Sequence, residues 1–397
     1  MKKRVSLIVV ICSTLMLSGC WDNIDIERKG FIIGTAVDLK EEKENGQYVL
    51  TMTNQVAVPA VLSTQIQTGG EAKPFLNMSV DGESMISILR ETATRSSRIP
   101  FFEHMKVLVI SSAIAEKTDL FESVLDFFLR DMELRRDIKV MVKDGESGQA
   151  KDILEVNPAV ELLPTLYVNE ITENVGKTIR MMPPVTVGDV HGDILEEFSY
   201  VLPKINVVSE KKLEYEGAAV FNGMANQMVG TLDAEEIKGL NLVTRKNRSS
   251  VIEFMVRDHL MVYELEISIP SIKIVSANPG DVRVDINITT QGDIAEMFGS
   301  ESLLHEDYIE EIQKKIEEKI VKIVEGTIKT SQEDLNTDVL GIGKQLSQKH
   351  PKKWDQLKGY WEEGENYFSQ VRFQVKATAE VQGIGAVDKA KKKRKDE

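Results

Sequence analysis

Apolar positions along the chain switch between the period of two expected of a strand and the 3.6 expected of a helix, and the switches mark out the elements. After Lys2, Lys3 and Arg4, residues 5–17 run without a charge. Gly30-Phe31-Ile32-Ile33-Gly34-Thr35-Ala36-Val37-Asp38 reads as a buried strand, a short apolar run between turn residues. A turn containing Asn45-Gly46 leads to a second strand over 48–58, and the polar stretch 63–73 with Gly69-Gly70 reads as an exposed loop. From Pro74 strands and helices interleave: a strand over 75–80, a helix over about 82–96 with Asp81 as its cap, and a core strand over 106–110. A helix over 119–130 follows, with Leu120, Val124, Phe127 and Phe128 on one face, then a strand over 138–142 and a short helix over 147–156 that Asn157-Pro158 ends.

Residues 158–192 are rich in Pro, Gly and Asn and read as a connection, with Pro183-Pro184 barring regular structure. Strands resume over 201–208 and 216–221, and Asn222-Gly223 signals a hairpin whose return begins at Met228-Val229-Gly230. A further pair spans 265–275 and 282–290, the second alternating at Val282, Val284, Ile286 and Ile288, with Asn278-Pro279-Gly280 as the turn. The clearest helix covers 305–330, where Ile309, Ile312, Ile316, Ile320, Ile323 and Val324 form one stripe. Glu310–Lys314, Glu311–Lys315 and Glu318–Lys322 stand at i,i+4, each pair contributing about 0.2–0.5 kcal/mol. The stripe covers barely three heptads, which suits a helix lying on its own sheet better than a dimerising coiled coil. Trp354 and Trp361 are spaced to share a helix face and seal a core, and 371–381 alternates as a last strand.

The run over 5–17 is roughly a dozen residues, short of the ~20 that cross a bilayer as a helix, and with its basic start it reads as a signal-peptide h-region. It ends on Leu17-Ser18-Gly19-Cys20. Small residues admit an extended chain to a peptidase cleft, and the following thiol can carry a thioether-linked lipid. This is the lipobox pattern of a bacterial lipoprotein, with Cys20 as the modified first residue of the mature chain. An ordinary secretory signal that happens to contain a cysteine is the competing reading. No later run has spanning length, so the lipid is the only membrane attachment expected.

The 397 residues exceed one compact core, and 42% hydrophobic with 28% charged residues describes a globular rather than disordered chain. Of two cysteines, Cys12 leaves with the signal and Cys20 is alkylated, so no intrachain disulfide is expected. The net charge of −14 becomes more acidic when the three basic n-region residues are cleaved off, which argues against a nucleic-acid partner. Against this background the tail Lys389 and Lys391-Lys392-Lys393-Arg394-Lys395 stands out; it is either a contact for anionic headgroups or a solvated end.

Chemistry is sparse. No two of His104, His191, His259, His305 and His350 stand at metal-ligand spacing, so neither metal nor cofactor is expected. Gly176-Lys177-Thr178 resembles the end of a P-loop, but Ile171 occupies the upstream glycine position. Gly341-Ile342-Gly343 and Gly383-Ile384-Gly385 lack the third glycine and following helix that phosphate binding needs. There is no Gly-x-Ser-x-Gly elbow. No catalytic set emerges, and an enzyme is not expected. His104, just before a core strand, is the one histidine to follow, with a core or capping role favoured over catalysis.

Gly19-Cys20-Trp21-Asp22, Gly30-Phe31-Ile32-Ile33-Gly34 with Asp38, Gly82-Glu83-Ser84, and Arg95-Ser96-Ser97-Arg98 leading to His104-Met105-Lys106-Val107 form an ordered series. Gly217-Ala218-Ala219-Val220-Phe221, Val229-Gly230-Thr231-Leu232, Asp338-Val339-Leu340-Gly341-Ile342-Gly343, and Pro351 with Trp354 continue it. In this the chain resembles the Ger(x)C family, the lipoprotein C subunits of nutrient germinant receptors in endospore formers. The resemblance covers the mature chain apart from the basic tail. It implies a multi-domain α+β protein of two to three domains with mixed and antiparallel sheets flanked by helices. It also implies anchoring on the outer face of the spore inner membrane, two integral-membrane partners (the A and B subunits), no enzyme activity, and Cys20 as the one functional residue that carries over. The expected division is a signal peptide over 1–19, an N-terminal α+β domain over 21–200, a middle strand-rich domain over 201–256, a C-terminal α+β domain over 257–383 and the tail over 384–397. A solute-binding lipoprotein of a transporter is the alternative, though it calls for two α/β lobes with long βαβ repeats. An envelope hydrolase lacks its nucleophile.

Overall fold

A computed structural model describes residues 28–59, 61, 73–130, 134–145, 148–246, 249–298, 303 and 305–383; Cys20, the expected signal peptide and the basic tail lie outside them. The first sheet is built on β1 (Lys29–Glu42), β2 (Tyr48–Ala57), β3 (Phe75–Gly82), β4 (Ile99–Phe101), β5 (Val107–Ser111), β6 (Lys139–Lys143), β7 (Val185–Thr186), β8 (Tyr200–Ser209), β9 (Lys212–Asn222) and β10 (Gln227–Leu232). Its main order is β10-β9-β8-β6-β5-β1-β2-β3, with β4 beside β1 and β7 beside β6. β1, β5, β6 and β8 run parallel in the centre, and antiparallel hairpins flank them on both sides. Such a centre must be covered on both faces, which is why all five residues of β5 are buried.

One face, carrying Ile32, Val37, Leu108, Ile110, Val140, Leu202 and Phe221, packs against α1 (Met85–Arg95), α2 (Ser112–Ala115), α3 (Thr118–Arg130), and α5 (Val187–Glu196), the last reached after α4 (Pro164–Glu173). The expected helix over 82–96 starts later, because Ser84 rather than Asp81 caps it, in a reciprocal box with Ser87. Asp81 instead pairs with Lys40 and accepts the Thr51 hydroxyl at 2.7 Å. The expected helix over 147–156 shortens to a 3₁₀ turn, Ala150–Leu154.

The region 158–192 is more than a connection. It contains α4 and α5, with Thr165, Val168 and Val190 buried. What holds α4 is polar: buried Gln55 on β2 accepts the Thr165 backbone N–H at 3.0 Å and its hydroxyl at 2.8 Å, and donates to the Leu154 carbonyl at 2.9 Å. A Cβ on Gly34 would overlap the Thr165 hydroxyl, so that glycine sets how closely the helix approaches. Asp38, near the other end of β1, accepts the N–H groups of Ala150 at 2.6 Å and Lys151 at 3.1 Å and so caps the 3₁₀ turn.

The second sheet is β11 (Ser250–Val256), β12 (His259–Asn278), β13 (Asp281–Met297) and β14 (Arg372–Gly383), antiparallel up to β13 and parallel between β13 and β14. The long β12–β13 hairpin turns on Pro279-Gly280, with Gly280 at φ +71°. α6 (Ala234–Thr244) and α7 (Glu306–Lys329) pack together, and α7 lies across this sheet with Ile312, Ile316, Ile320 and Val324 buried. Its stripe therefore serves its own sheet. The expected charge ladder is rewired: Glu311 pairs with Arg257 at 2.5 Å and Lys315 with Glu318 at 2.7 Å. The chain closes through α8 (Ile342–Lys349) and α9 (Pro351–Leu357) before β14.

Strands of the segment expected as a middle unit, 201–256, divide between the sheets: β8–β10 extend the first and β11 opens the second. Alternation marks these residues as strands but carries nothing about which sheet receives them. One continuous core joins both, running from Met141, Ile205 and Val220 to Ile252, Ile286 and Ile316.

Candidate functional site

Two buried carboxyl groups, Asp338 and Glu362, meet where α8 and α9 abut the first sheet. α8 begins after Gly341, whose φ of +70° turns the chain sharply into the helix. The first-turn N–H groups need an acceptor, and the buried Asp338 supplies it. Its Oδ1 accepts Ile342 N–H at 3.0 Å, and its Oδ2 accepts Gly343 N–H at 2.6 Å and the Trp361 indole at 3.0 Å. Trp361 is buried and meets Trp354 edge to face at 5.6 Å, while Phe198 lies 5.7 Å from Trp354. A Cβ on Gly343 would come within 2.8 Å of the Trp361 indole nitrogen and 3.0 Å of the Trp354 ring, so both rings lie against a bare helix backbone.

Glu362 follows Trp361 and bridges the two halves of the molecule. Its Oε1 accepts the Asp338 backbone N–H at 2.5 Å, and its Oε2 accepts the Ser199 hydroxyl at 2.5 Å and the Asn222 amide at 3.4 Å. Ser199 precedes β8 and Asn222 ends β9, so a carboxylate of the C-terminal half reaches two strands of the first sheet. Nearby, Lys344 of α8 pairs with Asp193 at 3.1 Å and Glu196 at 3.0 Å on α5. Burial pushes the Glu362 carboxyl up to about 7, and the adjacent Asp338 adds to the rise. Burial raises Asp338 as well, against the opposing pull of the Gly343, Ile342 and Gly341 N–H groups and the Trp361 indole.

A cleft of about 430 Å³ opens over this joint between Glu197, Phe198, Met224, Lys344, Trp354 and Lys358. The polar groups beneath it are committed to one another. Ser199 Oγ donates to Glu362 while accepting Gly223 N–H at 2.9 Å, and both Asp338 oxygens face the start of α8 and Trp361. This is the arrangement of a pinned joint rather than of an activated nucleophile. Among the described residues no group of three or more His, Cys, Asp or Glu side chains is placed to hold a metal ion.

Gly341 has a following helix after all, contrary to expectation, but Asp338 fills the anion position at its start. Trp354 and Trp361 meet across a helix end rather than on one helix face, with Trp361 lying beyond α9. His104 is exposed and packs against Phe31 at 5.5 Å and Phe101 at 5.8 Å, away from the joint. Sequence reading brought Asp338 forward as part of a motif but missed Glu362 and Ser199, which have no local signature. Among the described residues, no helix is long and apolar enough to cross a membrane.

The architecture defines a class: an α+β protein with a wide mixed sheet and a smaller helix-backed sheet sharing one core. A model described as the spore germination protein N-terminal domain matches residues 22–207, and one described as spore germination B3/GerAC like, C-terminal, matches residues 216–385. Relatives from Bacillus subtilis (strain 168) include spore germination protein YndF, 28% identical over 91% of this chain and 93% of its own length. Spore germination proteins B3 and A3 are each 26% identical, over 98% and 97% of this chain and 100% and 98% of theirs. The crystal structure of the GerBC protein has the same fold, with a TM-score of 0.58 at 21% identity, covering 88% of this chain and 97% of that one. The chain belongs to the Ger(x)C family of spore germination proteins.

Proposed function

We propose that the chain is a non-enzymatic, lipid-anchored subunit of a nutrient germinant receptor, acting with the integral-membrane A and B subunits on the outer face of the spore inner membrane. The observation that carries this reading is the end-to-end likeness to spore germination proteins B3 and A3, over both halves of the chain. Two features support it. Leu17-Ser18-Gly19-Cys20 ends a short apolar run, and the buried polar groups of the joint are spent on holding two parts of the body together. Under the alternative, a solute-binding lipoprotein, the second half would supply a lobe of βαβ repeats. The four-stranded, largely antiparallel second sheet is poorly suited to that role.

Replacement of the anchoring residue tests the proposal. In spores of the native host, Cys20→Ala is expected to move the protein from the membrane to the soluble fraction and to depress germination through its own receptor. A variant that fractionates with membranes and germinates normally would contradict the role of the anchor. Tight binding of a nutrient to the isolated chain, seen by calorimetry, would favour the transporter reading.

A further inference from the structure

β1 and β4 run parallel and start level with each other, Lys29 opposite Ile99, and the antiparallel β2 brings its own end and the start of β3 to the same end of the first sheet; β5 starts farther along β1, its Val107 level with Gly34. That end is basic and aromatic. Lys29 opens β1 with its ammonium 3.9 Å from the centre of the Phe101 ring, which meets Phe31 edge to face at 5.8 Å. Arg98 precedes β4, Lys106 precedes β5, and Lys73 stands before β3. Ile99 and Leu76 are exposed here at 42% and 57%. Among the described residues none of Lys29, Lys73, Arg98 and Lys106 has an acidic partner. At the other end of the same strands Lys40, Lys43 and Lys117 are paired with Asp81, Glu83 and Glu42. On a chain with a net charge of −14, one end of one sheet thus combines cations that have no acidic partner among the described residues with exposed aliphatic side chains and half-buried rings, the exposed Glu103 of the β4–β5 loop being the acidic residue near them.

The described chain begins at this end. Seven residues separate Cys20 from Arg28, a span of at most about 30 Å when fully extended. We infer that the basic, aromatic end of the first sheet is a membrane-contact surface that rests on anionic lipid headgroups. The inference relies on the lipid-anchor reading for its biological setting, but the surface's affinity for lipid is independent of the anchor. Cations beside phenylalanine rings and exposed aliphatic side chains suit the headgroup boundary. Such contact fixes how the body stands on the membrane, with the β1–β2 turn and the start of α1 pointing away.

The test uses the chain from residue 20 to its end with Cys20→Ser, so that no lipid is attached, and vesicles of phosphatidylcholine with or without phosphatidylglycerol. The protein is expected to co-sediment with the anionic vesicles only, and to be released by salt. Arg98→Glu with Lys106→Glu is expected to lower partitioning at least about tenfold with an unchanged thermal melt. Because the tail at 391–395 is also basic, a variant with those five residues changed to glutamine is measured alongside and is expected to keep most of the binding. Binding that disappears with the tail change and ignores the sheet-end change would overturn the inference, as would no binding to anionic vesicles at all. In the lipidated protein, a fluorophore at Ile99→Cys is expected to be quenched by lipid-borne quenchers and one at Ile86→Cys to be spared; the reverse pattern would also overturn it. Absence of lipid on Cys20 would defeat the anchor reading while leaving the vesicle result standing.

Discussion

At the scale of single residues, Glu362 makes a pH-dependent contribution to stability whose sign follows from its burial. Its ordinary value is 4.5, and in the folded state burial holds it at about 7. Between these values the folded protein keeps a proton that the unfolded chain gives up. Its contribution to stability is thus fully present at or below the lower value, falls as pH rises through the window, and is gone above it. A shift of this size corresponds to a loss on the order of 3 kcal/mol. Glu362→Gln, which still offers an acceptor to the Asp338 N–H, is expected to flatten that limb in urea titrations at a series of pH values. Parallel curves for variant and parent would show that the proton resides elsewhere. None of this was legible in the sequence, where Glu362 is one of 63 acidic residues and its partners lie 24 and 163 positions away. Asp338 was easier to notice because the glycines of its helix start stand beside it.

At the scale of elements, the readable ones are those whose burial is apolar and periodic. α7 announced itself through its isoleucines, and it is buried through the residues of that stripe. β13 did so through its alternation, although nothing in that pattern marks its extension to Met297. α4 escaped notice because Gln55 and Thr165, polar residues that favour turns or surfaces in most settings, are what dock it. The α6–α7 contact escaped for a similar reason, since it depends on the absence of a side chain. A Cβ on Gly239 would overlap the Thr327 hydroxyl and stand 2.9 Å from the Ile323 carbonyl. Gly239→Ala is expected to destabilise the protein by about 1–3 kcal/mol, despite the better helix propensity of alanine, because α6 must move off α7. A rise in melting temperature would show that the helices accommodate the methyl group.

At the scale of the molecule, the two matching family models meet inside the β8–β9 hairpin: one ends at 207 and the other begins at 216, although these strands are partners in one sheet. The shared core and the Glu362 bridge lead to the expectation that both sheets unfold together. Fluorescence reporting on Trp361 and far-UV circular dichroism should therefore give coincident urea transitions; two separated transitions would mean that the sheets are thermodynamically independent. The sequence disclosed the α+β class and many of the strands and helices. It did not disclose the sharing, because strand periodicity carries no address.

β14 is the last element in the described chain, yet it lies beside β13, with Gln313 and Glu317 of α7 accepting the Val381 and Ala379 N–H groups along its outer edge. Synthesis delivers the rest of the second sheet roughly 75 residues before the piece that completes it. Until that strand arrives, the flank of β13 is an open template for any extended polypeptide nearby. A premature stop between β13 and β14 would therefore do damage out of proportion to the one strand it removes from the second sheet, leaving a nearly finished body with an adhesive side.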